Sequence, residues 1–212
     1  MGHPALAERL RLETRELHAE AERSGVMVDL LRGRLARPAY CALLRNLHAI
    51  YAALETALRS HRDDPLIGAV QSPELLREAA LASDIDLLYG AAWREEIALA
   101  PATTAYAERL RELAASGSCA LVAHAYVRYL GDLHGGQLLK RRIAAQMGVD
   151  GDAGTRFYEF GGDSKILALR QEFRAALAGL QPSAADGELI VAEARWAFEQ
   201  HKRLFDELRA AA

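Results

Sequence analysis

The chain has 212 residues, 51% hydrophobic and 26% charged, with a formal net charge of −3. That is enough apolar material for one sizeable core. The mild acidity argues against a nucleic-acid-binding surface, and no apolar run approaches the ~20 residues a membrane span needs.

Apolar residues recur at helical spacing almost throughout. A first helix is expected over Leu6–Ala21. From Tyr40 the series Leu43, Leu44, Leu47, Ile50, Tyr51, Leu54 and Leu58 marks one face of a second. Pro38 suits its first turn and HRDDP ends it near Pro65. Further helical patterns cover Glu74–Leu88, Thr104–Leu113, Cys119–Met147, Lys165–Leu180 and Ala184–Leu208. Connectors carry turn residues: RSG at 23–25, QSP at 71–73, LAPATT at 99–104 and LQPSAADG at 180–187. The irregular stretch 148–164 has room for a short helix. Nothing alternates long enough to predict a strand, and there is no repeat or low-complexity linker. The expectation is one all-α domain over residues 1–212. Cys41 and Cys119 stand apart without CxxC spacing, and the N-terminal stretch lacks the apolar centre of a secretory signal. Both point to a reducing, cytoplasmic setting.

Seven histidines invite a search for metal ligands. None follows a glutamate by three residues, as a dinuclear carboxylate bundle requires, and HExxH and Cys/His clusters are absent. His18 borders the apolar stripe Leu10, Thr14, Leu17 and Ala21, where a histidine is most often structural. Glu22, one turn on, can fix its tautomer directly or through water and leave the other nitrogen for a metal. Arg11 projects from the same side, about 10 Å away. A ligand, an orienting acid and a distant cation on one face suit a large anionic cofactor.

The stretch YLGDLHGGQLLKRR, 129–142, carries Gly131, Gly135 and Gly136 in what reads as a helix interior. Each glycine there costs about 1 kcal/mol relative to alanine. Gly131 and Gly135, one turn apart, leave a trench of bare backbone that Leu139 continues. Tight helix packing would explain two such glycines; the neighbouring carboxylate of Asp132 asks for more. A bend at the glycines is expected.

These residues resemble the heme oxygenase family. AHAYVRYLGDLHGGQLLKR (123–141) resembles its distal-helix signature, whose centre commonly reads GDLSGGQ. TRELHAEAERSGVM (14–27) resembles the proximal helix and EARWAFEQHKRLFDEL (193–208) the last long helix. LHAIYAALE (47–55) and AWREEI (92–97) fit the same order.

The resemblance implies an all-α fold with heme b between a proximal and a kinked distal helix. It makes His18 the axial iron ligand and Glu22 its partner, with Gly131 and Gly135 in close contact with the porphyrin. Asp132 would hold the water that steers a proton to iron-bound oxygen. Arg11, Tyr126, Arg170 and Arg174 would bind the propionates, and Met27, Tyr51, Leu139 and Phe198 would line the pocket. The implied reaction consumes heme and dioxygen, with electrons from a ferredoxin or flavoprotein reductase, and yields biliverdin, carbon monoxide and ferrous iron. A monomer, possible hand-over to a biliverdin acceptor, and no nucleic-acid or membrane partner complete the expectation. LKRR (139–142) is either a solvated face or a dock for an acidic donor. A heme-sequestering protein without turnover is the alternative, and it has no need of Asp132. An all-α interaction module with accidental motifs is a second. His134 replaces the usual serine; three outcomes are open, a solvent-facing or cleft-edge histidine that does little, a contributor to the distal hydrogen-bond network, or a second iron ligand.

Overall fold

Where the sequence predicts one N-terminal helix, the structure has two. The computed structural model describes residues 5–149 and 152–211, and α1 (Leu6–Glu13) meets α2 (Arg15–Glu22) at Thr14. The Thr14 hydroxyl donates to the Leu10 carbonyl at 2.7 Å. Such a local side-chain bond competes with the helix ladder, and Thr14 leaves helical geometry at φ −106°, ψ −2°. The helix that carries His18 therefore has an N-terminus of its own.

A short helix absent from the expectation follows, α3 (Gly25–Leu31). Its seven residues are too few to show a period. Gly25 opens it at φ +43°, where a β-carbon would fall 1.9 Å from the Phe205 carbonyl oxygen, so only glycine fits. The next helix, α4 (Arg37–Ser60), matches its predicted stripe, and Leu44, Ile50, Tyr51 and Leu54 are wholly buried.

The helix expected over Glu74–Leu88 begins four residues late. A 3₁₀ turn at Pro73–Leu75 gives way to extended backbone at Leu76 before α5 (Glu78–Leu88). The buried Glu55 carboxylate accepts the Arg77 and Glu78 amides at 2.5 and 3.1 Å. That acceptor satisfies the first orphan donors of α5 and fixes where it starts. After α6 (Trp93–Glu96), α7 (Pro101–Ala115) starts earlier than predicted. Pro101 occupies the first turn, where its missing N–H costs nothing, and Glu207 accepts the Ala102 amide at 2.9 Å.

The distal region comprises α8 (Leu121–Ala125), one π-helical turn at Tyr126–Leu130, and α9 (Gly131–Met147). The expected irregularity is therefore displaced. The helix runs through Gly135–Gly136 as ordinary α-helix, and the departure lies just before Gly131, where a wider turn inserts an extra residue. A 3₁₀ turn at Arg156–Tyr158 supplies the predicted short helix, followed by α10 (Asp163–Gly179) and α11 (Ala184–Ala210). The Ser183 side chain caps α11 by accepting the Asp186 amide at 3.1 Å.

No strand occurs among the described residues, and no helix of theirs is long and apolar enough to cross a membrane. In the core, α4 packs against α5 and α7, while α11 runs against α2, α3, α7 and α8. Both ends of the functional chemistry, α2 and the π turn, rest on α11.

Candidate active site

A cleft partly open to solvent lies between α2 and α9. Its walls are mostly apolar, with Met27, Leu43, Leu47, Leu139, Phe198 and Phe205 among them. His18 and Glu22 enter from one side and Gly131, Asp132 and Gly135 from the other. The sequence thus named residues that share one cavity although they are far apart in the chain, His18 and Gly131 by 113 positions.

The two glycines differ from their neighbour. A β-carbon on Gly131 or Gly135 would meet nothing within 4 Å, whereas one on Gly136 would touch Tyr158 at 3.4 Å. Gly136 serves helix packing. Gly131 and Gly135 face space that the protein itself leaves open, and a flat ligand can come down onto their backbone.

Opposite, the His18 side chain is 50% exposed and meets the edge of Phe198, ring centroids 5.6 Å apart. Glu22 Oε1 stands 3.8 Å from His18 Nε2, beyond direct bonding. Both side chains are free enough to close that gap by rotation. Among the described residues no three His, Cys, Asp or Glu side chains gather to hold a bare metal ion. One imidazole in an apolar slot instead fits a metal already held by a planar macrocycle. The empty, Cβ-free space opposite fits the macrocycle's face.

Behind the glycines lies a buried polar network. Arg128 Nη2 donates to Asp132 Oδ1 at 3.2 Å, Arg128 Nε donates to the Tyr51 hydroxyl at 3.1 Å, and that hydroxyl donates to Asp132 Oδ2. The guanidinium also lies over the Tyr51 ring at 5.0 Å. Burial raises the pKa of the Asp132 carboxyl; Arg128, the Tyr51 bond and Arg77 pull it back only in part. The expectation for Tyr51 needs correction. It is wholly buried behind Asp132 and does not line the cleft.

The four proposed propionate residues stand at the edge, outside the cavity lining. Tyr126 and Thr14 share a hydroxyl–hydroxyl bond at 3.3 Å. Burial raises the Tyr126 phenol's pKa, while Thr14, Arg11 and Arg174 oppose the shift. Arg170 donates to the Leu133 carbonyl at 2.7 Å. Arg174 Nη2 donates to His134 Nε2 at 2.6 Å, and His134 Nδ1 donates to the Leu130 carbonyl at 2.6 Å. His134 is thus a neutral, rim-lying imidazole with both nitrogens engaged. Burial lowers its pKa, and the cationic Arg170 and Arg174 lower it further. His134 is exposed and outside the cleft lining, as in the first of its three expectations, a solvent-facing or cleft-edge residue.

Sequence reasoning missed Arg128 and His201. Arg128 had a readable signal, a cation four residues before Asp132. His201 lies 73 positions from its partner and had none.

Comparison with known proteins agrees with this geometry. The heme oxygenase family model matches residues 4–207. Heme oxygenase 1 of Nostoc sp. is 38% identical over 203 residues, covering 96% of this chain and 85% of that protein. Among solved structures, heme oxygenase-1 of Synechocystis sp. in complex with heme superposes with a TM-score of 0.90 at 37% identity, covering 98% of this chain and 94% of that one. Heme oxygenase-2 of the same organism, in complex with heme and NO, gives 0.93 at 37% identity, covering 98% and 86%. The all-α fold and a half-exposed histidine facing bare helix backbone across an apolar cleft are those of a heme-binding protein. Within that class, this chain belongs to the heme oxygenase family.

Proposed function

We propose that the chain cleaves heme oxidatively to biliverdin, carbon monoxide and ferrous iron, with His18 as the iron ligand and Asp132 as the group that directs protons. The observation that carries this reading is a buried, hydrogen-bonded carboxylate beside a glycine-floored cleft that faces a lone half-exposed histidine. A protein that only stored heme would gain nothing from burying an ionisable side chain there, because desolvating a charged pair such as Arg128–Asp132 is costly even when it is hydrogen-bonded.

When bound, heme supplies both the iron that activates dioxygen and the carbon framework that is cleaved. The protein's residues do the rest. His18 would offer an imidazole nitrogen to the iron. Gly131 and Gly135 allow the porphyrin to approach the helix backbone, excluding bulk water from the reacting edge. Asp132, pushed up by burial yet tied to Arg128 and Tyr51, holds a proton source next to that edge. A carboxyl acting through an ordered water delivers protons without presenting a strong acid directly.

Arg11, Tyr126, Arg170 and Arg174 seat the propionates at the rim. Arg170 and Arg174 are held there by α9 itself, through the Leu133 carbonyl and His134. They must exchange these partners, or share them, when carboxylates arrive. Seating decides which edge of the ring faces Asp132.

Electrons come from an external reductase, for which a ferredoxin or flavoprotein is our reading, and biliverdin passes to a downstream acceptor. Lys140 pairs with Asp152 and Glu159 and Arg142 donates to the Leu31 carbonyl, which leaves Arg141 as the more available cation of LKRR for an acidic donor. The chain works as a monomer in the cytoplasm, where its two free cysteines stay reduced.

The test is single-turnover chemistry. Hemin-loaded protein given ascorbate and dioxygen should lose its Soret band as biliverdin appears. His18→Ala should keep the helices folded and bind hemin without the normal iron–histidine spectrum, and should not turn over. Full turnover by that variant without added imidazole would refute the ligand assignment.

A further inference from the structure

We propose that His201 is a positioning residue for the Asp132 carboxyl, acting as the fixed acceptor that locks the Arg128 guanidinium. His201 sits on α11 at the base of the cleft and is 2% exposed. Its Nδ1 faces the Ala197 carbonyl at 2.7 Å and must donate to it. That bond sets the tautomer and leaves Nε2 as a bare lone pair. Arg128 Nη1 donates to this lone pair at 2.9 Å.

Arg128 is therefore held at three corners: by His201 through Nη1, by Tyr51 through Nε, and by Asp132 through Nη2. Three acceptors determine the plane of a rigid guanidinium, whereas two leave it free to tilt about the line joining them. Tyr51 and Asp132 also bind each other, so a tilt of Arg128 moves both. The acceptors come from three helices, Asp132 from α9, Tyr51 from α4 and His201 from α11, and His201 is anchored by its own backbone bond.

The groups facing His201 leave it no competing partner. The Tyr106 ring packs against it with centroids 5.1 Å apart, but the Tyr106 hydroxyl donates to His124 Nδ1 at 2.8 Å. His124 Nε2 in turn donates to Glu193 at 3.2 Å, whose carboxylate also receives Arg109 at 3.0 and 2.7 Å. That second cluster is closed on itself. Phe205 completes the surroundings on α11. Burial disfavours the imidazolium, and Arg128 and His124 disfavour it further. A proton on Nε2 would put two donors face to face, so His201 accepts throughout the working range.

This inference rests on Asp132 having the role proposed above, and the experiment separates the two. Ligand-free protein labelled with ¹⁵N-histidine should show His201 as the neutral Nδ1–H tautomer from pH 8 to about pH 5.5. Titration near the ordinary value of 6.5 or an Nε2–H tautomer would overturn the proposal. His201→Leu removes the acceptor, while His201→Gln places an amide oxygen near the position of Nε2. With hemin loaded, His201→Leu should lower the turnover rate about 10-fold, a typical loss when an outer partner is removed. It should also move the pH midpoint of the ferric visible spectrum, and His201→Gln should restore both. Equal behaviour of the Leu and Gln variants, or an unmoved midpoint in His201→Leu, would overturn the positioning role. Should Asp132→Asn alone leave turnover and midpoint unchanged, the fault lies with the proton role of Asp132 and not with the geometry around His201. The ¹⁵N measurement on unmodified protein decides the geometry even if His201→Leu does not fold.

Discussion

Replacing Gly131 and Gly135 by alanine should make the ligand-free protein more stable and the heme complex weaker. Both residues lie in α9 at helical dihedrals, neither has a positive φ, and an added β-carbon meets nothing within 4 Å. Alanine at such a site gains roughly 0.8–1 kcal/mol in helix propensity, part of it by restricting the unfolded chain. For a chain of this length 1 kcal/mol raises Tm by about 2–4 °C. Each substitution should therefore raise the apo Tm by that amount, and the double variant by roughly twice as much. Bound heme would meet the same methyl groups as overpacking, which costs about 1–3 kcal/mol, a 5- to 140-fold loss of affinity at about 1.4 kcal/mol per factor of ten. Gly136→Ala is the internal control. Its β-carbon would make ordinary contact with Tyr158 at 3.4 Å and lies outside the cleft lining, so it should be tolerated in the apo protein and leave hemin affinity unchanged. Calorimetry without ligand and a hemin titration give both numbers. An apo Tm that falls in Gly131→Ala and Gly135→Ala, or hemin affinity that does not change, would refute the reading of the glycines as a ligand floor.

Asp132→Asn keeps an acceptor for Tyr51 but removes the titrating carboxyl. Hemin affinity should stay within a few-fold while biliverdin formation is lost, and an unchanged biliverdin yield would take Asp132 out of the proton path. His134→Ser frees Arg174 without unligating anything, because His134 Nε2 is already occupied by Arg174. The ferric hemin complex should show water or hydroxide as sixth ligand in both proteins, with only a modest change in its alkaline transition. A low-spin bis-histidine spectrum that His134→Ser converts to high spin would reverse this assignment. For Glu193, burial alone would raise the pKa, but the bonds from His124 and Arg109 outweigh it and hold the carboxyl at about 2 against an ordinary 4.5. A carboxyl depressed on folding stabilises fully above its unfolded pKa and loses that contribution as pH falls through the folded value. The Tm gap between the parent and Glu193→Gln should thus be widest near neutrality and close between pH 4.5 and 2; a pH-independent gap would disprove the linkage.

Much of the site was legible because its parts sit at helical spacing. His18 and Glu22 are one turn apart, as are Gly131 and Gly135, and period alone places each pair on a face. The residues that tie the site together were hidden because their partners are remote. His201 meets Arg128 across 73 positions, and Glu55 sets the start of α5 across 22. The break at Thr14 depends on a 2.7 Å side-chain bond that helical periodicity does not reveal. Tyr51 shows the limit in another way. Its place in the apolar stripe of α4 is right, but only the tertiary structure shows its hydroxyl against Asp132 and not in the cleft.

The residues that violate local rules are gathered in one place. Glycines in an alanine-rich helix, a π turn, and a buried Arg–Asp pair all fall between Tyr126 and Gly136. Each alone weakens or costs the free protein something, and nearby residues offset only part of it. In the Arg–Asp pair all three guanidinium nitrogens donate and both carboxylate oxygens accept, which limits its desolvation cost, and the π turn is packed against α8, α9 and α11. The glycine cost has no such internal offset, since no other protein atom approaches where the β-carbons of Gly131 and Gly135 would be. Only a ligand can recover it. Consistency across levels is broken where binding requires it, and that is why one weakened helix could signal function before any contact was known.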